Sequence, residues 1–311
     1  MIQRLQRLLP FFTLILLFAG LSIASPDHFL SKTNLSSVVR QTAVINLMAL
    51  GMTLVIISGG IDLSVGAILA MGGLMGTMAM EKGQPIILGV LIGVLTGSVC
   101  GLANGLLITR LGINPFIVTL GTLGIIRGST LIISNGLPVH QIPPSFSYLG
   151  EGNLVGVPFV LWVLIACAAA VHVILEHTRL GRYTFSIGSN TDAAHYAGIP
   201  VSFHTTAVYA ICGMLTGLAG MIEASRLMTG QPTAGQGYEL QAIAAVVIGG
   251  GSLRGGEGSV VGTLIGAFIM GLLANGSDLL GISPYLQQAI IGAVIIVAVA
   301  FDELRKRRLS S

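Results

Sequence analysis

The sequence predicts an all-α integral membrane protein with about ten transmembrane helices. Its 311 residues are 53% hydrophobic and 9% charged, whereas a soluble domain has about 25% charged residues. The mean hydropathy is +0.89, and runs of about 20 apolar residues, the length that crosses a bilayer, recur along the chain. A single transmembrane domain over residues 1–311 is therefore predicted. Its spans are 8–25, 38–58, 64–80, 86–108, 114–133, 157–175, 203–224, 240–252, 259–276 and 284–301.

The basic residues predict which side of the membrane each connection faces. With a cytoplasmic N-terminus, ten of the 15 Lys and Arg residues fall in inside connections, the bias that the positive-inside rule expects. Both termini are then cytoplasmic, and so are the polar stretch 177–202 and the basic tail 302–311, which we interpret as a membrane anchor rather than a nucleic-acid site. Cleavage of the first span as a signal peptide stays an alternative. Arg4 and Arg7, the apolar run and Ser22-Ile23-Ala24 resemble the basic region, the apolar region and the cleavage site of such a peptide.

The polar stretch 177–202 interrupts an otherwise apolar chain. Asn190 or Thr191 can cap a short helix over 192–197, and Gly198 followed by Pro200 can end it. A membrane protein thereby exposes one short helix to an aqueous compartment. We expect a partner protein to bind this short helix and thereby to drive conformational change in the membrane domain.

Glycine has two roles among the 43 glycines of the chain. Spacings of four, as at Gly89, Gly93 and Gly97, put small residues on one helix face and predict closely packed spans. Glycine clusters at the ends of spans would instead unwind a helix, and unwound backbone at membrane depth must be buried in protein or line a cavity. The predicted gating turns contain Gly59, Gly60, Asp62, Ser64, Gly249 and Gly250.

A short internal echo suggests an inverted repeat. Asn104-Gly105 followed by LGINPF at 111–116 recurs as Asn275-Gly276 followed by LGISPY at 280–285, five spans later and therefore entering from the opposite side. Transporters often place their pathway at the interface of such repeats. The predicted pathway residues are Asn114, Phe116 and Thr119 in the fifth span and Tyr285 and Gln288 in the tenth.

Several kinds of chemistry are missing from the sequence. It contains no P-loop, no Gly-x-Gly-x-x-Gly, no His-Glu-x-x-His and no Cys-x-x-Cys, so neither an enzyme nor a cofactor or metal site is expected. The spans hold few ionisable residues, whereas a proton- or sodium-driven carrier usually keeps several. Neutral polar residues are more frequent there, and they suit an uncharged polyol as cargo.

Three stretches resemble the membrane permeases of ribose-type ABC sugar importers. They are GGIDLSVG at 59–66, the segment from TRLGRY at 178–183 to Gly198-Ile199, and QPTAGQGYELQAIAAVVIGG at 231–250. The resemblance runs from about Phe29 to Phe301. It implies a fold of the vitamin B12-importer (type II) kind in the bacterial inner membrane. It also implies a cytoplasmic ATPase that hydrolyses the ATP, a periplasmic sugar-binding protein and a second permease copy around one pathway.

By this resemblance, the helix in 177–202 is the coupling helix that docks on the ATPase. The residues matched to it are Asn190, Asp192, Ala193, Ala194, Gly198 and Ile199. Gln241 stands where many members carry an acid, so pairing with a paralogue stays open beside a homodimer. The expected cargo is a small neutral sugar, ribose or a similar pentose or hexose. Autoinducer-2, a nucleoside or a branched-chain amino acid are alternatives, and an ion-coupled secondary carrier is a further one.

Overall fold

A computed structural model describes residues 2–310, with side chains described from residue 9 to residue 300 apart from Pro284 and Ala298. Almost all regular structure in that range is helical. The first seven helices are α1 (Ile2–Ala24), α2 (Pro26–Phe29), α3 (Lys32–Ile57), α4 (Val65–Glu81), α5 (Ile86–Leu111), α6 (Pro115–Ile133) and α7 (Tyr148–Glu151). The next seven are α8 (Phe159–His177), α9 (Arg179–Ser189), α10 (Thr191–Tyr196), α11 (Val201–Leu227), α12 (Tyr238–Ile248), α13 (Val260–Leu279) and α14 (Pro284–Ser310).

The apolar helices coincide with the predicted spans. Among the described residues, six helices are long and apolar enough to cross a membrane, namely α3, α5, α6, α8, α11 and α13. Shorter apolar stretches occupy the other four predicted spans, in α1, α4, α12 and α14. The all-α membrane class is therefore confirmed, while ten crossings and the vitamin B12-importer fold stay predictions. The backbone of α14 continues through the predicted tail 302–311 as far as Ser310, and the side chains of that tail lie outside the described residues.

Helix α3 is the central element of the chain. Every residue over 42–57 is buried, and α3 packs against α8, α11, α12 and α13. A helix that is buried on every side forms the core of a helical bundle. By contrast, α5, α6 and α8 expose large apolar side chains such as Leu95, Ile117 and Ile165, as expected of lipid-facing helices.

The predicted glycine faces join α4, α5 and α11. A Cβ added to Gly217 of α11 would come within 2.6 Å of the Gly93 carbonyl oxygen on α5. One added to Gly72 of α4 would come within 3.0 Å of the Gly217 Cα. Because glycine has no Cβ, the three backbones can approach this closely. The prediction of close packing through glycine is confirmed.

The connections gather at two ends of the bundle. Residues 134–158, which include a 3₁₀ turn (Pro144–Ser147), α7 and a hairpin of β1 (Asn153–Leu154) with β2 (Val157–Pro158), lie at one end. There Arg40 forms an ion pair with Glu151 at 3.0 Å, and Val139 pairs with Gly230. The connections after α3, α9 and α12 meet at the other end. This grouping agrees with the predicted alternation of inside and outside connections.

The stretch 177–202 contains more helix than the sequence indicated. We expected a basic loop carrying one short helix, whereas α9 occupies residues Arg179–Ser189 ahead of it. The Thr178 side chain caps α9 by accepting a hydrogen bond from the Gly181 amide at 3.3 Å. Gly181, Thr184 and Ile187 are its buried residues, so α9 packs against the bundle along one narrow stripe of its surface. The polar composition of the stretch indicated a loop, although its buried residues do recur at a helical period.

Candidate functional site: a capped exposed helix and two glycine turns

The short helix expected over 192–197 is α10, and Asn190 is its cap. The Asn190 side-chain oxygen accepts a hydrogen bond from the Ala193 amide at 2.9 Å, so that it satisfies one of the free N–H groups at the start of the helix. At the other end Gly198 has φ 79°. Its amide donates to the His195 carbonyl at 2.9 Å, and the Ile199 amide donates to the Ala194 carbonyl at 3.1 Å. Glycine favours this left-handed conformation, so Gly198 ends α10 as predicted.

The exposed face of α10 contains most of the residues predicted to contact an ATPase. Asn190, Asp192, Ala193 and Gly198 are exposed, Ile199 is half-buried, and Ala194 points inward with 5% exposure. Tyr196 was not among the predicted residues, yet 88% of it is exposed. Large aromatic side chains in such positions are typical anchors of protein interfaces. The signal was available in the sequence, since an aromatic residue in a polar, capped helix has no span to pack against.

A groove of about 600 Å³ runs beside α10. Its walls come from the end of α5, the end of α10 and the start of α11. The residues lining it are Leu106, Thr109, Arg110, His195, Gly198, Ile199, Pro200, Val201, Ser202, Phe203 and Thr206. The surface around the short helix is therefore partly apolar and concave.

The turn between α3 and α4 is buried in protein, as unwound backbone at membrane depth requires. Asp62 and Ser64 have no exposed surface. An Asp62 carboxylate oxygen accepts hydrogen bonds from the Ser64 amide at 2.9 Å and from the Ser64 hydroxyl at 2.6 Å. Asn104 of α5 donates to the Ser64 hydroxyl at 2.8 Å and approaches both Asp62 carboxylate oxygens at 3.5 Å. The sequence named Asp62 and Ser64 but did not predict that Asn104 would join them.

The backbone of the same turn is held by two further helices. The Ile61 carbonyl accepts a hydrogen bond from Thr119 of α6 at 3.1 Å and another from Tyr209 of α11 at 3.3 Å. A Cβ on Gly60 would overlap the Tyr209 hydroxyl. Thr119, predicted as a pathway residue, thus lies against the predicted gating turn. The turn fixes the relative positions of α5, α6 and α11.

The second predicted turn follows α12. Gly249 ends that helix and Gly250 has φ 91°. The loop then folds back on itself, because the Ser252 amide donates to the Glu257 carbonyl at 3.1 Å and the Gly255 amide to the Ser252 carbonyl at 2.9 Å. The predicted span 240–252 therefore overlaps a helix of only 11 residues, Tyr238–Ile248, and its backbone is irregular from Gly249 onward.

The two copies of the internal echo build the same local structure. Gly112 has φ 64° and Gly281 has φ 67°. After them, the Asn114 side chain accepts from the Phe116 amide at 2.9 Å, and the Ser283 hydroxyl accepts from the Leu286 amide at 3.3 Å. Each copy is thus a helix end, a left-handed glycine and a capped new helix.

The chain alone does not bring the predicted pathway residues together. Phe116, Tyr285 and Gln288 are exposed. Helix α6 packs on α4 and α5, whereas α14 packs on α12 and α13. A pathway that uses both helices would therefore need a surface beyond this single chain, and these residues stay a prediction.

Few ionisable groups lie inside the described bundle, and two of them form an ion pair. Glu223 and Arg226 of α11 form the ion pair that their spacing of three predicts, at 3.3 Å. Tyr238 also donates to Glu223, at 3.4 Å. No cluster of three His, Cys, Asp or Glu that could hold a metal occurs among the described residues. What remains as the candidate site of this membrane-protein class is the capped, exposed helix together with the turns after α3 and α12.

Comparisons with known proteins agree with that class. The family described as branched-chain amino acid transport system, permease component, matches residues 34–299. Ribose import permease protein RbsC of Escherichia coli K12 is 42% identical over 297 residues, covering 94% of this chain and 92% of that protein. RbsC of Bacillus subtilis strain 168 is 43% identical over 300 residues, covering 96% and 93%. No solved structure matches the chain.

A more distant relative has a different sugar in its name. The L-arabinose ABC transporter permease protein AraH of Azospirillum brasilense is 36% identical over 294 residues, which is 94% of this chain and 86% of that protein. The chain belongs to this family of ABC-importer permease components. It is a multi-pass protein of the bacterial inner membrane and a transport subunit rather than an enzyme.

Proposed function

We propose that this chain is the permease through which an ABC importer carries a small neutral sugar, ribose or a similar pentose or hexose, from the periplasm to the cytoplasm. The observation that carries the proposal is 42–43% identity to two ribose import permeases over more than nine-tenths of both chains. The neutral polar groups of the spans support it, because hydroxyl and amide side chains can exchange hydrogen bonds with a polyol without binding a charge.

Helix α10 is the docking element for the ATPase subunits. It is short, capped at both ends and exposed, so it can enter a groove of a partner as a rigid unit. The residues proposed for this docking element are Asn190, Asp192, Ala193, Ala194, Gly198 and Ile199, with Tyr196 added from its exposure. Ala194 faces the bundle and would seat the helix, while the others would touch the ATPase. Since the sequence has no P-loop, ATP energy reaches this chain through such a contact, as movement of packed helices.

The turns after α3 and α12 are the gate of the pathway. Gly59, Gly60, Asp62 and Ser64 on one side and Gly249 with Gly250 on the other interrupt helices at the cytoplasmic end in the predicted topology. A small movement of the first turn would reach α5, α6 and α11 through the hydrogen bonds that it makes with Asn104, Thr119 and Tyr209. At the periplasmic end, the folded segment 134–158 is the proposed contact for a sugar-binding protein.

A second permease copy completes the pathway. The exposure of Phe116, Tyr285 and Gln288 in one chain supports this assembly, because residues that line a pathway between two copies are exposed when one copy is taken alone. We propose a homodimer with ten spans per chain and a vitamin B12-importer type of fold. Gln241, which is half-buried in the first turn of α12, leaves pairing with a paralogue as the alternative.

The test is ATP-dependent uptake into proteoliposomes that contain this chain and the ATPase retained with it, offered a panel of loaded binding proteins. ATPase retention together with uptake stimulated by a ribose-loaded binding protein is the expected result. Stimulation by a binding protein loaded with another cargo would keep the mechanism and replace the sugar. Uptake that follows an ion gradient, with no ATPase retained, would refute the proposal in favour of a secondary carrier.

One specific observation favours a second cargo class. The matching family is described by branched-chain amino acid transport, so binding proteins for those amino acids belong in the panel beside those for autoinducer-2 and nucleosides. The relatives that match over nearly the whole chain are named for ribose and arabinose, which is why sugar is the proposed cargo.

A further inference from the structure

Three glycine-containing segments from distant parts of the chain meet beneath α10. Gly59 begins the turn after α3, Gly188 lies in the last turn of α9, and Gly255 with Gly256 lies in the loop after α12. We call these four residues the glycine junction. None of the three segments is a membrane span, so the junction differs from the helix-packing glycines of α4, α5 and α11.

Gly188 is enclosed by backbone atoms of the other two segments. A Cβ at this position would overlap the carbonyl oxygen of Ile57, the last residue of α3, and would come within 2.7 Å of the Gly256 amide nitrogen. The Gly256 amide itself donates to the Ile57 carbonyl at 2.9 Å. That carbonyl belongs to the last turn of α3, where helix carbonyls lack partners within the helix. The Gly188 backbone therefore packs directly against the hydrogen bond that joins Gly256 to Ile57.

Gly255 and Gly59 also contact each other and Gly188. A Cβ on Gly255 would lie 2.6 Å from the Gly188 carbonyl oxygen and 2.9 Å from the Gly59 Cα. One on Gly59 would lie 3.8 Å from the Gly188 Cα. Each segment thus touches both of the others through backbone alone. A displacement cannot be absorbed there by a change of side-chain rotamer, as it can at an ordinary packed contact.

We propose that the glycine junction is the mechanical link between the coupling helix and both gating turns, with Gly188 as its positioning residue. This inference rests on the proposed docking of an ATPase on α10. Gly188 is two residues ahead of Asn190, the cap of α10, so a movement of α10 moves Gly188 against the end of α3 and the loop after α12. From Ile57 the movement enters the turn that contains Asp62, and from Gly256 it enters the segment leading to α13. Such a chain of packed contacts is one way in which coupling travels between two sites.

The direct test is Gly188→Ala in the complete complex with ATPase and binding protein, reconstituted in proteoliposomes. The matched control is Gly121→Ala, which places the same methyl group on α6, where no heavy atom lies within 4 Å. We expect Gly188→Ala to keep its ATPase and its basal ATP hydrolysis, while sugar imported per ATP hydrolysed falls at least tenfold. Wild-type import per ATP would overturn the inference. Loss of the ATPase subunit together with import would also overturn it, because Gly188 would then merely shape α10.

A reversible variant separates movement from folding. A Cβ on Gly256 would lie 2.6 Å from the Ser189 Oγ and 3.1 Å from the Ser189 Cα. The two positions are therefore neighbours, and a disulfide between Ser189→Cys and Gly256→Cys forms with a small backbone shift that widens their separation. Gly256 has φ 74°, so the reduced form of the same double variant is the reference that accounts for strain. We expect oxidation to lower uptake at least tenfold relative to that reduced form, and reductant to restore it, with ATPase bound in both states. Equal uptake before and after a cross-link verified by mass would refute the link.

Further controls distinguish failure of the glycine junction from failure of the proposed ATPase docking. Oxidised wild-type protein reports any effect of the native thiols of Cys100, Cys167 and Cys212. Wild-type complex without a retained ATPase would refute the docking proposal itself. Normal wild-type import combined with unimpaired import by Gly188→Ala and by the cross-linked variant would refute the glycine junction alone.

Discussion

Tyr196→Ala is the sharpest probe of the docking surface. The side chain is 88% exposed on α10 and has no role in the bundle, so its removal should leave the fold of the permease unchanged. A tyrosine buries about 200 Å² when fully enclosed, so about 180 Å² remains available to a partner. At about 25 cal/mol per Å², that area corresponds to about 4 kcal/mol as an upper limit.

The expected loss of binding free energy is smaller than that limit. Ordering of the side chain and desolvation of its hydroxyl oppose the gain, and interface anchors typically lose about 2–4 kcal/mol on truncation. We expect about 2–3 kcal/mol, which weakens the affinity for the ATPase about 30- to 150-fold. The assay is a titration of purified ATPase onto detergent-solubilised permease.

Tyr285→Ala is the matched control for this titration. Tyr285 is a tyrosine of nearly equal exposure, 86%, at the start of α14, and the predicted topology places it at the opposite end of the bundle. Its removal should leave the affinity unchanged. A Tyr196→Ala variant that binds the ATPase within twofold of wild type would refute the reasoning, and so would an equal loss for both variants.

Three further predictions concern coupling, the buried turn and helix packing. Ala193→Arg should abolish uptake without reducing membrane insertion, whereas Gln84→Arg, exposed in the connection between α4 and α5 at the opposite end, should leave uptake unchanged; normal uptake by Ala193→Arg would contradict it. Asn104→Ala removes a donor from buried Ser64 and Asp62 and should cost about 2 kcal/mol of stability. A double-mutant cycle with Asp62→Ala should show a coupling of about 1 kcal/mol or more in thermal unfolding, and strict additivity would exclude the contact. Gly97→Val should overpack α5 against the Gly213 carbonyl and destabilise the protein by about 1–3 kcal/mol, unlike Gly124→Val, where nothing lies within 4 Å.

The parts of the fold that follow local rules could be predicted from the sequence. Apolar runs of span length predicted the positions of the apolar helices, and glycines spaced by four predicted closely packed spans such as α5. The partner face on α11 was not predicted. The limits of α10 also followed locally, because a cap at Asn190 and a left-handed glycine at Gly198 act over a few residues.

What the sequence could not supply are contacts between distant segments. Asn104 is 40 residues from its partner Ser64, and nothing in either local pattern indicates the other. We did not predict helix α9, because only a narrow stripe of its surface, ending in Ile187, is buried. The amino-acid composition of the whole segment is therefore that of a polar loop. The glycine junction joins three segments that the sequence had marked separately, and no spacing rule connects residue 59 with residues 188 and 255.

The burial of α3 on all sides has a consequence for the order of biogenesis. Its mean hydropathy is 1.5, against 2.4 for α5, since Thr42, Asn46 and Thr53 lie among its buried residues. The chain must grow from Ile57 to Leu279, the end of α13, before all the helices that surround α3 exist, which takes about 10–40 s at ordinary rates of synthesis. Two of those side chains donate hydrogen bonds to their own helix, Asn46 to the Thr42 carbonyl and Thr53 to the Ala49 carbonyl. These bonds lower the free-energy cost of exposing the polar groups to lipid before the other helices are made. The most protected helix of the mature protein is thus one of the most exposed during its synthesis, and insertion factors that shelter early helices should matter most for α3.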